Sequence, residues 1–369
     1  MRLQCLQYKN FRNHKVLTFK PNDGITVIYG SNGSGKTSLL EGVHYCALTK
    51  GFVGATDSEC LSFNSDFFLL DGSFQSDQES PVTVKVLYKK EKEKQIIVNN
   101  SDVKPFSNHI GRIPCVTFSP SEMVIVNGSP AERRRFIDNA ISQTNRKYLD
   151  DLLAYRRVLM QRNALLVQLS EKKSVHQDML SVWTEQLSRH AASIVSSRAQ
   201  FLTPFFKRFS ELYSHFSIDE EPGILYRCSL GNIGKESSYD LLYSMFLEKY
   251  QQTERQEIFR AQTLTGPHRD DLLFLLNDKE IKKYASQGQL RTFLIGLKLT
   301  QHQYFFELLG EKPICLLDDI FSELDASRIA DIFTLLETFG QTIITSTEIK
   351  GGSNVTALSL ESIRKTGEE

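Results

Sequence analysis

The chain has 369 residues, 40% hydrophobic and 24% charged, so it is long enough for two or more domains and has the composition of an ordinary globular protein. Basic and acidic residues balance at 44 each, which excludes a uniformly basic nucleic-acid binder but allows a local basic patch. The six scattered cysteines form no Cys-x-x-Cys pair, and no long apolar run or signal peptide is present, so we expect reduced thiols, no membrane contact and a cytoplasmic protein.

The amino-terminal stretch predicts three β-strands, then a glycine-rich loop and a helix. Residues 2–8 and 15–19 alternate polar and apolar side chains, and residues 25–29 form an apolar run. The loop reads GSNGSGKT at residues 30–37, and residues 38–48 have helical character. A strand, this glycine spacing and a helix together are typical of a phosphate-binding loop; a glycine-rich turn with a chance Lys-Thr pair is the simpler alternative.

The residue types of this loop suit a nucleoside triphosphate bound with Mg²⁺. Its three glycines let the backbone aim several N–H groups at anionic oxygens, and the helix that begins near Lys36 adds the positive end of its dipole. We expect Lys36 to reach the β- and γ-phosphates as a catalytic residue and the Thr37 hydroxyl to ligate the metal. The ATP-binding residues predicted in the loop are Gly30, Ser31, Asn32, Gly33, Ser34, Gly35, Lys36 and Thr37.

The middle of the chain changes from strand to helix character. Residues 113–118 predict a buried strand, whereas residues 129–215 are mostly helical. Ser129 as N-cap, Pro130 at the first helical position and Glu132 as the end of a capping box predict a helix start. Four phenylalanines at helical spacing predict a packed core rather than a base-stacking surface: Phe201, Phe205, Phe206 and Phe209.

Positive charge is concentrated near the start of this helical segment. Between residues 129 and 168, eight basic residues stand against four acidic ones in a chain that is neutral overall. The segment is the best candidate for a DNA-binding surface, although a solvated helical face with internal ion pairs explains it equally well. The candidate DNA contacts are Arg133, Arg134, Arg135, Arg146, Lys147, Arg156 and Arg157, with Arg162 in the same segment. Arg134 and Arg135 could instead serve the nucleotide or a dimer interface.

Strand character returns in the carboxy-terminal third. Residues 271–276 predict a strand with a hairpin turn at residues 277–278. Buried strands are predicted at residues 313–317 and 341–345, and the chain is expected to be looser from residue 350 onward.

The strand that precedes Asp318 and Asp319 is the kind of partner that a phosphate-binding loop uses to hold its metal. Asp318 is the candidate for the Mg²⁺ shell, through a water molecule. Asp319 is placed to orient or deprotonate the attacking water, as a second catalytic residue. A pair of solubilising charges at a strand end is the alternative reading.

A further motif, Ser286-Gln287-Gly288-Gln289, opens a helix between the hairpin and the acidic strand. The order of phosphate loop, helical insertion, this motif, acidic strand and then SELD at residues 322–325 is that of an ABC-type ATPase. In that arrangement Ser286, Gly288 and Gln289 face a nucleotide held by another subunit, which implies a homodimer that sandwiches ATP. A plain polar helix cap is the alternative.

These motifs together resemble those of the RecF family, the ATPases of bacterial recombinational DNA repair that are related to the heads of SMC proteins. The most specific segments are SPAERRRFID at 129–138, TGPHRDD at 265–271 and LDDIFSELD at 317–325, and YKNFRNH at 8–14 resembles the start of SMC-type heads. The resemblance runs essentially from end to end. It implies an α/β fold, an ABC/SMC-head-like P-loop ATPase domain with an inserted, mainly helical arm.

The expected domain boundaries place the ATPase lobe at residues 1–120 and 263–369 and the arm at residues 121–262. The resemblance further implies ATP-dependent dimerisation, binding to DNA at or near single-strand/double-strand junctions, and cooperation with RecR and RecO in loading RecA. Hydrolysis would act as a timer that releases the clamp.

Two features depart from transporter-type ABC ATPases. Asp319 stands where those enzymes usually carry Glu, and no His follows the last strand, so Thr347 is the candidate for contacting the γ-phosphate. The shorter acid reaches the water less well and predicts slow turnover. The alternatives to a repair clamp are a transport ATPase that couples to a membrane partner and an ATPase that works with a nuclease.

Overall fold

The structure, a computed structural model, divides into two compact units. Unit 1 combines Met1–Met123 with Gln287–Glu369, and unit 2 is Val124–Ser286. The described residues are 1–52, 54–171, 178–217, 219–233, 238–321, 326–348 and 355–365.

The strands and helices follow one another along the chain within these ranges. The strands are β1 (Arg2–Phe11), β2 (His14–Phe19), β3 (Ile25–Tyr29), β4 (Phe67–Gln75), β5 (Pro81–Lys89), β6 (Gln95–Val98), β7 (Ser101–Asp102), β8 (Cys115–Phe118), β9 (Pro222–Arg227), β10 (Asp271–Leu276), β11 (Lys279–Glu280), β12 (Ile314–Asp318), β13 (Thr342–Ser346) and β14 (Val355–Ser359). The helices are α1 (Lys36–Leu48), α2 (Val124–Asn127), α3 (Pro130–Thr144), α4 (Arg146–Ser170), α5 (Asp178–Tyr213), α6 (Tyr239–Arg260), α7 (Ile281–Tyr284), α8 (Gln287–Leu309), α9 (Ala326–Thr338) and α10 (Leu360–Lys365).

Unit 1 contains a five-stranded parallel sheet of order β14-β3-β13-β12-β8. β12 and β13 are buried along their whole length, which fits the apolar run of β12 and the β-branched residues of β13. The register pairs Asp318 with Thr345, and Thr345 with Ile28. The carboxyl ends of β3, β12 and β13 therefore meet at one edge, the usual place for a ligand site in a parallel sheet.

A six-stranded antiparallel sheet of order β2-β1-β4-β5-β6-β7 forms the second layer of unit 1. Helix α1 contacts strands of both sheets and is buried along most of its length. Gly42 of α1 allows a close approach here, because a Cβ at this position would lie 2.1 Å from the Tyr8 ring. The Tyr8 hydroxyl donates to the Leu39 carbonyl at 2.7 Å, so β1 and the helix that follows the loop are held together.

Unit 2 packs helices α4, α5 and α6 together and carries a three-stranded antiparallel sheet of order β11-β10-β9. The prediction that the phenylalanine stripe forms a core is confirmed: Phe201, Phe205 and Phe209 are buried. Phe206 is half-buried. The predicted turn at residues 277–278 is confirmed by the pairing of β10 with β11.

The unit boundaries differ from the expected ones. The first lies after Met123 instead of residue 120, and the return to unit 1 comes at Gln287 instead of residue 263. The reason is that β10 pairs with β9 over six residues, which ties residues 263–286 to unit 2. Only one partner of this pairing, β10, was predicted.

Two smaller expectations are wrong. The chain beyond residue 350 is not loose throughout, because residues 355–359 form β14 on β3 and residues 360–365 form α10. Helix α3 does begin at Pro130, but the Ser129 side chain makes no capping hydrogen bond, so the predicted capping box does not form.

The cysteines in the described residues are all free, as expected. Among the described helices, none combines the length and apolar character needed to span a membrane.

Candidate functional site

A cavity of about 340 Å³ in unit 1 lies where the phosphate-binding loop, β12 and β13 come together. It collects residues from five separate parts of the sequence. The lining residues are Asn13, Asn32, Gly33, Gly35, Lys36, Thr37, Ser38, Pro120, Asp318, Asp319, Thr345, Ser346 and Thr347. The structure thus brings the predicted loop, the predicted acids and Thr347 to one place.

The loop needs its glycines for two different reasons. Gly33 and Gly35 have φ of 74° and 108°, in the left-handed region that residues with a Cβ rarely adopt. A Cβ on Gly35 would also lie 2.3 Å from the Asn13 amide. Helix α1 begins directly afterwards at Lys36, so its unpaired amino-terminal N–H groups are available to an anion.

Lys36 is held inside the loop by the loop's own backbone. Its Nζ donates to the carbonyls of Gly30 at 2.8 Å and Ser31 at 2.9 Å. Burial lowers the pKa of the Lys36 ammonium, while the charges of Asp318 and Asp319 act in the opposite direction. A flexible cation held only by neutral carbonyls can exchange these partners for phosphate oxygens.

Asp318 and Thr37 form the oxygen pair that a Mg²⁺ ion would need. The Thr37 hydroxyl lies 2.9 and 3.0 Å from the two Asp318 carboxylate oxygens, and the Thr345 hydroxyl donates to the same carboxylate at 2.6 Å. Burial raises the pKa of Asp318, and the two threonine hydrogen bonds oppose that rise. One carboxylate and one hydroxyl fit Mg²⁺, which keeps several waters and takes its other ligands from phosphates.

The described residues contain no cluster of three or more His, Cys, Asp or Glu that could hold a metal by itself. The oxygens of Thr37 and Asp318 suit an ion that takes its remaining ligands from water and a nucleotide.

Asp319 has a strained backbone that is held from two sides. Its φ of 49° is unusual for a residue other than Gly. Its N–H donates to the Thr345 carbonyl at 3.2 Å, and its carbonyl accepts from Arg291 Nη2 at 2.7 Å. Strain that neighbours enforce at a cavity wall is typical of functional positions, and here it fixes the backbone from which the second carboxylate extends.

The predicted signature residues lie at the start of α8. Ser286 precedes the helix and is exposed, and Gly288 and Gln289 are in its first turn. None of these three is among the residues that line the cavity of the same chain. Residues 322–325 lie outside the described residues.

Sequence reasoning missed several residues of the site. Asn13 lines the cavity, Thr345 holds Asp318, and Arg291 holds the backbone of Asp319. Asn13 belongs to the opening segment at residues 8–14, which was matched to SMC-type heads but given no role. Thr345 ends a predicted strand beside the acidic strand, so strand order would have placed it; nothing local indicates Arg291.

The comparisons with known proteins agree with this geometry. A family model described as an AAA domain matches residues 5–307. The DNA replication and repair protein RecF of Chlorobium phaeobacteroides is 53% identical over 98% of this chain and 100% of that protein. RecF of Chlorobaculum parvum is 48% identical over 100% of both chains. The chain belongs to the RecF family.

Solved structures extend this result to the fold. A structure described as the recombination mediator protein RecF with ATP in the RecFOR pathway is 31% identical, with a TM-score of 0.91 over 97% of this chain and 95% of that chain. The SMC head domain of Pyrococcus furiosus, bound to the C-terminal domain of ScpA, has a TM-score of 0.53 at 15% identity over 100% of this chain and 98% of that chain. This RecF-family chain therefore has the predicted ABC/SMC-head-like fold.

The basic residues of this RecF-family chain fall into two groups. Arg133 is 6% exposed and forks onto both oxygens of Asp271, and Arg162 is fully buried against Glu257. A buried guanidinium that is already paired cannot reach a phosphate backbone, so both are withdrawn from the candidate DNA surface.

The remaining cations are on or near the surface of α3 and α4. Arg134 is half-buried and donates to the Asp270 carbonyl. The exposed ones are Arg135, Arg146, Lys147, Arg156 and Arg157, which we call the exposed basic face.

Proposed function

We propose that this chain is an ATP-dependent DNA-binding clamp of recombinational repair. ATP with Mg²⁺ binds in the unit 1 cavity and drives homodimerisation, and the dimer binds gapped DNA or single-strand/double-strand junctions. With RecO and RecR it promotes the loading of RecA, and slow hydrolysis resets it. The observation that carries the proposal is the convergence of Lys36, Thr37, Asp318 and Asp319 on one cavity, in a chain of the RecF family.

Five of the residues that line the cavity have roles that follow from their positions. Lys36 leaves the loop carbonyls and neutralises the β- and γ-phosphates. Thr37 directly, and Asp318 through a water molecule, would hold Mg²⁺, which would supply further positive charge beside the phosphates. Asp319 orients the attacking water from its fixed backbone, and Thr347 contacts the γ-phosphate at the cavity rim.

Weak, DNA-stimulated hydrolysis is part of the proposal. An Asp side chain is one methylene shorter than the Glu of transport ATPases, so Asp319 holds its water less closely. We therefore expect turnover well below the many-per-second range in the absence of DNA.

Dimerisation would complete the site. Ser286 is exposed at the helix start and Gly288 and Gln289 are half-buried there, and none of the three lines the cavity of its own chain. A second copy could bring that helix start over the γ-phosphate, where the dipole and N–H groups would stabilise negative charge.

DNA binding is assigned to the exposed basic face. Its side chains offer point charges and guanidinium groups, which suit phosphate contacts and carry no base preference. The involvement of RecO and RecR is proposed from the RecFOR pathway named for the solved RecF structures.

The test is the size of the full-length protein with and without ATP and Mg²⁺. Wild type should become a dimer with ATP, Lys36→Arg should bind ATP but hydrolyse it poorly, and Asp319→Asn should form a long-lived dimer. Ser286→Arg should stay monomeric, whereas Ser181→Arg, which adds the same charge at an exposed site on α5, should dimerise. Normal dimerisation of Ser286→Arg would refute the proposed site between subunits.

A further inference from the structure

Three side chains from outside the phosphate-binding loop hold two of its backbone carbonyls. The Ser34 carbonyl accepts hydrogen bonds from Asn13 Nδ2 at 3.0 Å and from Arg364 Nη2. The next carbonyl, that of Gly35, accepts from His14 Nε2 at 3.1 Å. Two consecutive peptide groups of the loop are thus fixed from outside.

These contacts bear on how the loop presents its N–H groups. A trans peptide is planar, and its N–H points opposite to its C=O. Holding the Ser34 and Gly35 carbonyls outward therefore turns the N–H groups of Gly35 and Lys36 the other way, and both residues line the cavity. Such N–H groups at a helix start are the ones that bind phosphate oxygens.

Arg364 reaches the loop because of strand pairing far away in sequence. β14 runs parallel to β3 with Ser359 opposite Tyr29, so α10 begins beside the start of the loop. Leu360 of α10 lies close to Gly30, since a Cβ there would be 3.8 Å from the Leu360 Cβ. Ile363 is buried, which anchors the helix next to Arg364.

The neighbouring histidine is neutral in this arrangement. Burial lowers the pKa of His14 to about 4, and the charge of Arg364 acts in the same direction. Its Nε2 must carry the proton to donate to the Gly35 carbonyl, which leaves the positive charge behind the loop to Arg364.

We propose that Arg364 is a positioning residue for nucleotide binding: by holding the Ser34 carbonyl outward, the β14–α10 segment presets the loop N–H groups for the phosphates of a nucleoside di- or triphosphate. Arg364 acts through the loop backbone and touches no nucleotide. This inference rests on the proposed function, because it assumes that the cavity binds a nucleotide.

The experiment measures Mg-ATP and Mg-ADP binding to full-length wild type, Arg364→Ala and Arg364→Lys, together with hydrolysis at saturating ATP. Arg364→Ala should weaken both affinities about 5- to 10-fold, the effect of losing one hydrogen bond of ordinary net strength, because Asn13 still donates to the same carbonyl. Hydrolysis at saturation should change less than about twofold, since the bound nucleotide itself then orders the loop. Arg364→Lys should recover much of the affinity because an ammonium can donate to the same carbonyl.

The matched control is Glu361→Gln, which changes one charge at an exposed position of the same helix and should leave both affinities unchanged. An Arg364→Ala protein that binds both nucleotides as wild type does, or that loses hydrolysis at saturation instead of affinity, would overturn the inference. If Arg364→Ala also lowers the melting temperature, Arg364→Lys decides, and failure to recover affinity in a stably folded Arg364→Lys overturns it too. Failure of the wild type to bind either nucleotide would instead overturn the proposed function.

Discussion

Two of the regions that bury charged side chains satisfy those charges in opposite ways. In the unit 1 cavity, Lys36 is held by backbone carbonyls and Asp318 by threonine hydroxyls, partners that a nucleotide and its metal can replace. In unit 2, Arg198 is 2% exposed and is paired with Asp138 at 2.8 Å and with Asp270 at 3.3 Å.

The unit 2 cluster, which we call the buried ion network, is closed by further protein groups. Asp270 also accepts from the Tyr226 hydroxyl and from the Ser229 N–H, and Arg198 donates to the Pro267 carbonyl. The motif at residues 265–271 supplies much of it. The phosphate-binding loop at residues 30–37 and the motif at residues 265–271 therefore have different roles. The charged groups around the loop can exchange their partners for a ligand, whereas the network holds helices α3 and α5 against the start of β10.

Breaking the buried ion network should have the largest effect on stability. Arg198→Ala leaves Asp138 and Asp270 buried without their cation, so we expect a loss of about 3–5 kcal/mol in the free energy of unfolding. Urea unfolding followed by the fluorescence of Trp183, the one tryptophan of the chain, reports on unit 2. The control Arg189→Ala removes an exposed pair with Glu185 and should cost less than about 1 kcal/mol.

Neutralising an acid of the cavity should lower activity and leave stability unchanged or higher. Asp318→Asn removes the carboxylate that would hold Mg²⁺ through a water molecule, so ATP hydrolysis should fall about 100- to 1000-fold. Stability should stay equal or rise, because burial already disfavours the charged form of Asp318. Asp71→Asn, which breaks a surface pair with Lys85, should change neither quantity. A strongly destabilised Asp318→Asn protein would show that Asp318, like the buried ion network, stabilises the fold, and would contradict the comparison.

Acidification should destabilise unit 1 more than unit 2. Burial lowers the pKa of His14 and His268 to about 4 and of His44 and His302 to about 3, below the ordinary 6.5. The folded chain keeps these groups neutral while the unfolded chain protonates them, so their contribution is complete above pH 6.5 and is lost as the pH falls toward 4. Each can remove about 1.4 kcal/mol per pH unit within that window.

Three of these histidines are in unit 1 and one, His268, is in unit 2. Asp318, whose pKa is raised by burial, offsets part of the loss in unit 1, since a raised acid pKa adds stability as the pH falls. Between pH 7 and pH 5.5 we expect the urea midpoint from circular dichroism to drop further than the midpoint from Trp183 fluorescence. Midpoints that do not change with pH would contradict these shifts.

The smallest effect on stability is expected at the exposed basic face, where one residue, Arg156, lies near the buried ion network. Arg156 is 62% exposed with Asp138 3.9 Å away, and Arg157 is exposed beside it. Replacing both with Glu should weaken binding to gapped DNA about tenfold at low salt and flatten its salt dependence, with little change in stability. Arg255→Glu, at an exposed position of α6, is the control; unchanged affinity in the double variant would remove these residues from the DNA surface.

The features that depend on a few neighbouring residues could be predicted from the amino-acid sequence. A loop that binds phosphates needs left-handed backbone at fixed spacing and a helix that begins directly after it. The glycines of residues 30–37 and the helix that follows them meet both needs, so the sequence predicts the loop. The acidic pair after an apolar strand is equally local. The family also followed from such short motifs, because each encodes one turn of backbone with its chemical groups.

The features that depend on pairing between distant segments could be established only from the folded chain. Arg133 and Arg135 belong to the same run of three arginines, and nothing in the sequence distinguishes them. Arg133 is nevertheless buried against Asp271 whereas Arg135 is exposed, because only the fold brings residue 271 to α3. Because β9 pairs with β10, the second unit boundary lies at Gln287 and not at the expected residue 263. The β14–β3 pairing places Arg364 beside the phosphate-binding loop. Such contacts arise from strand register and packing across hundreds of residues, and no local pattern records them.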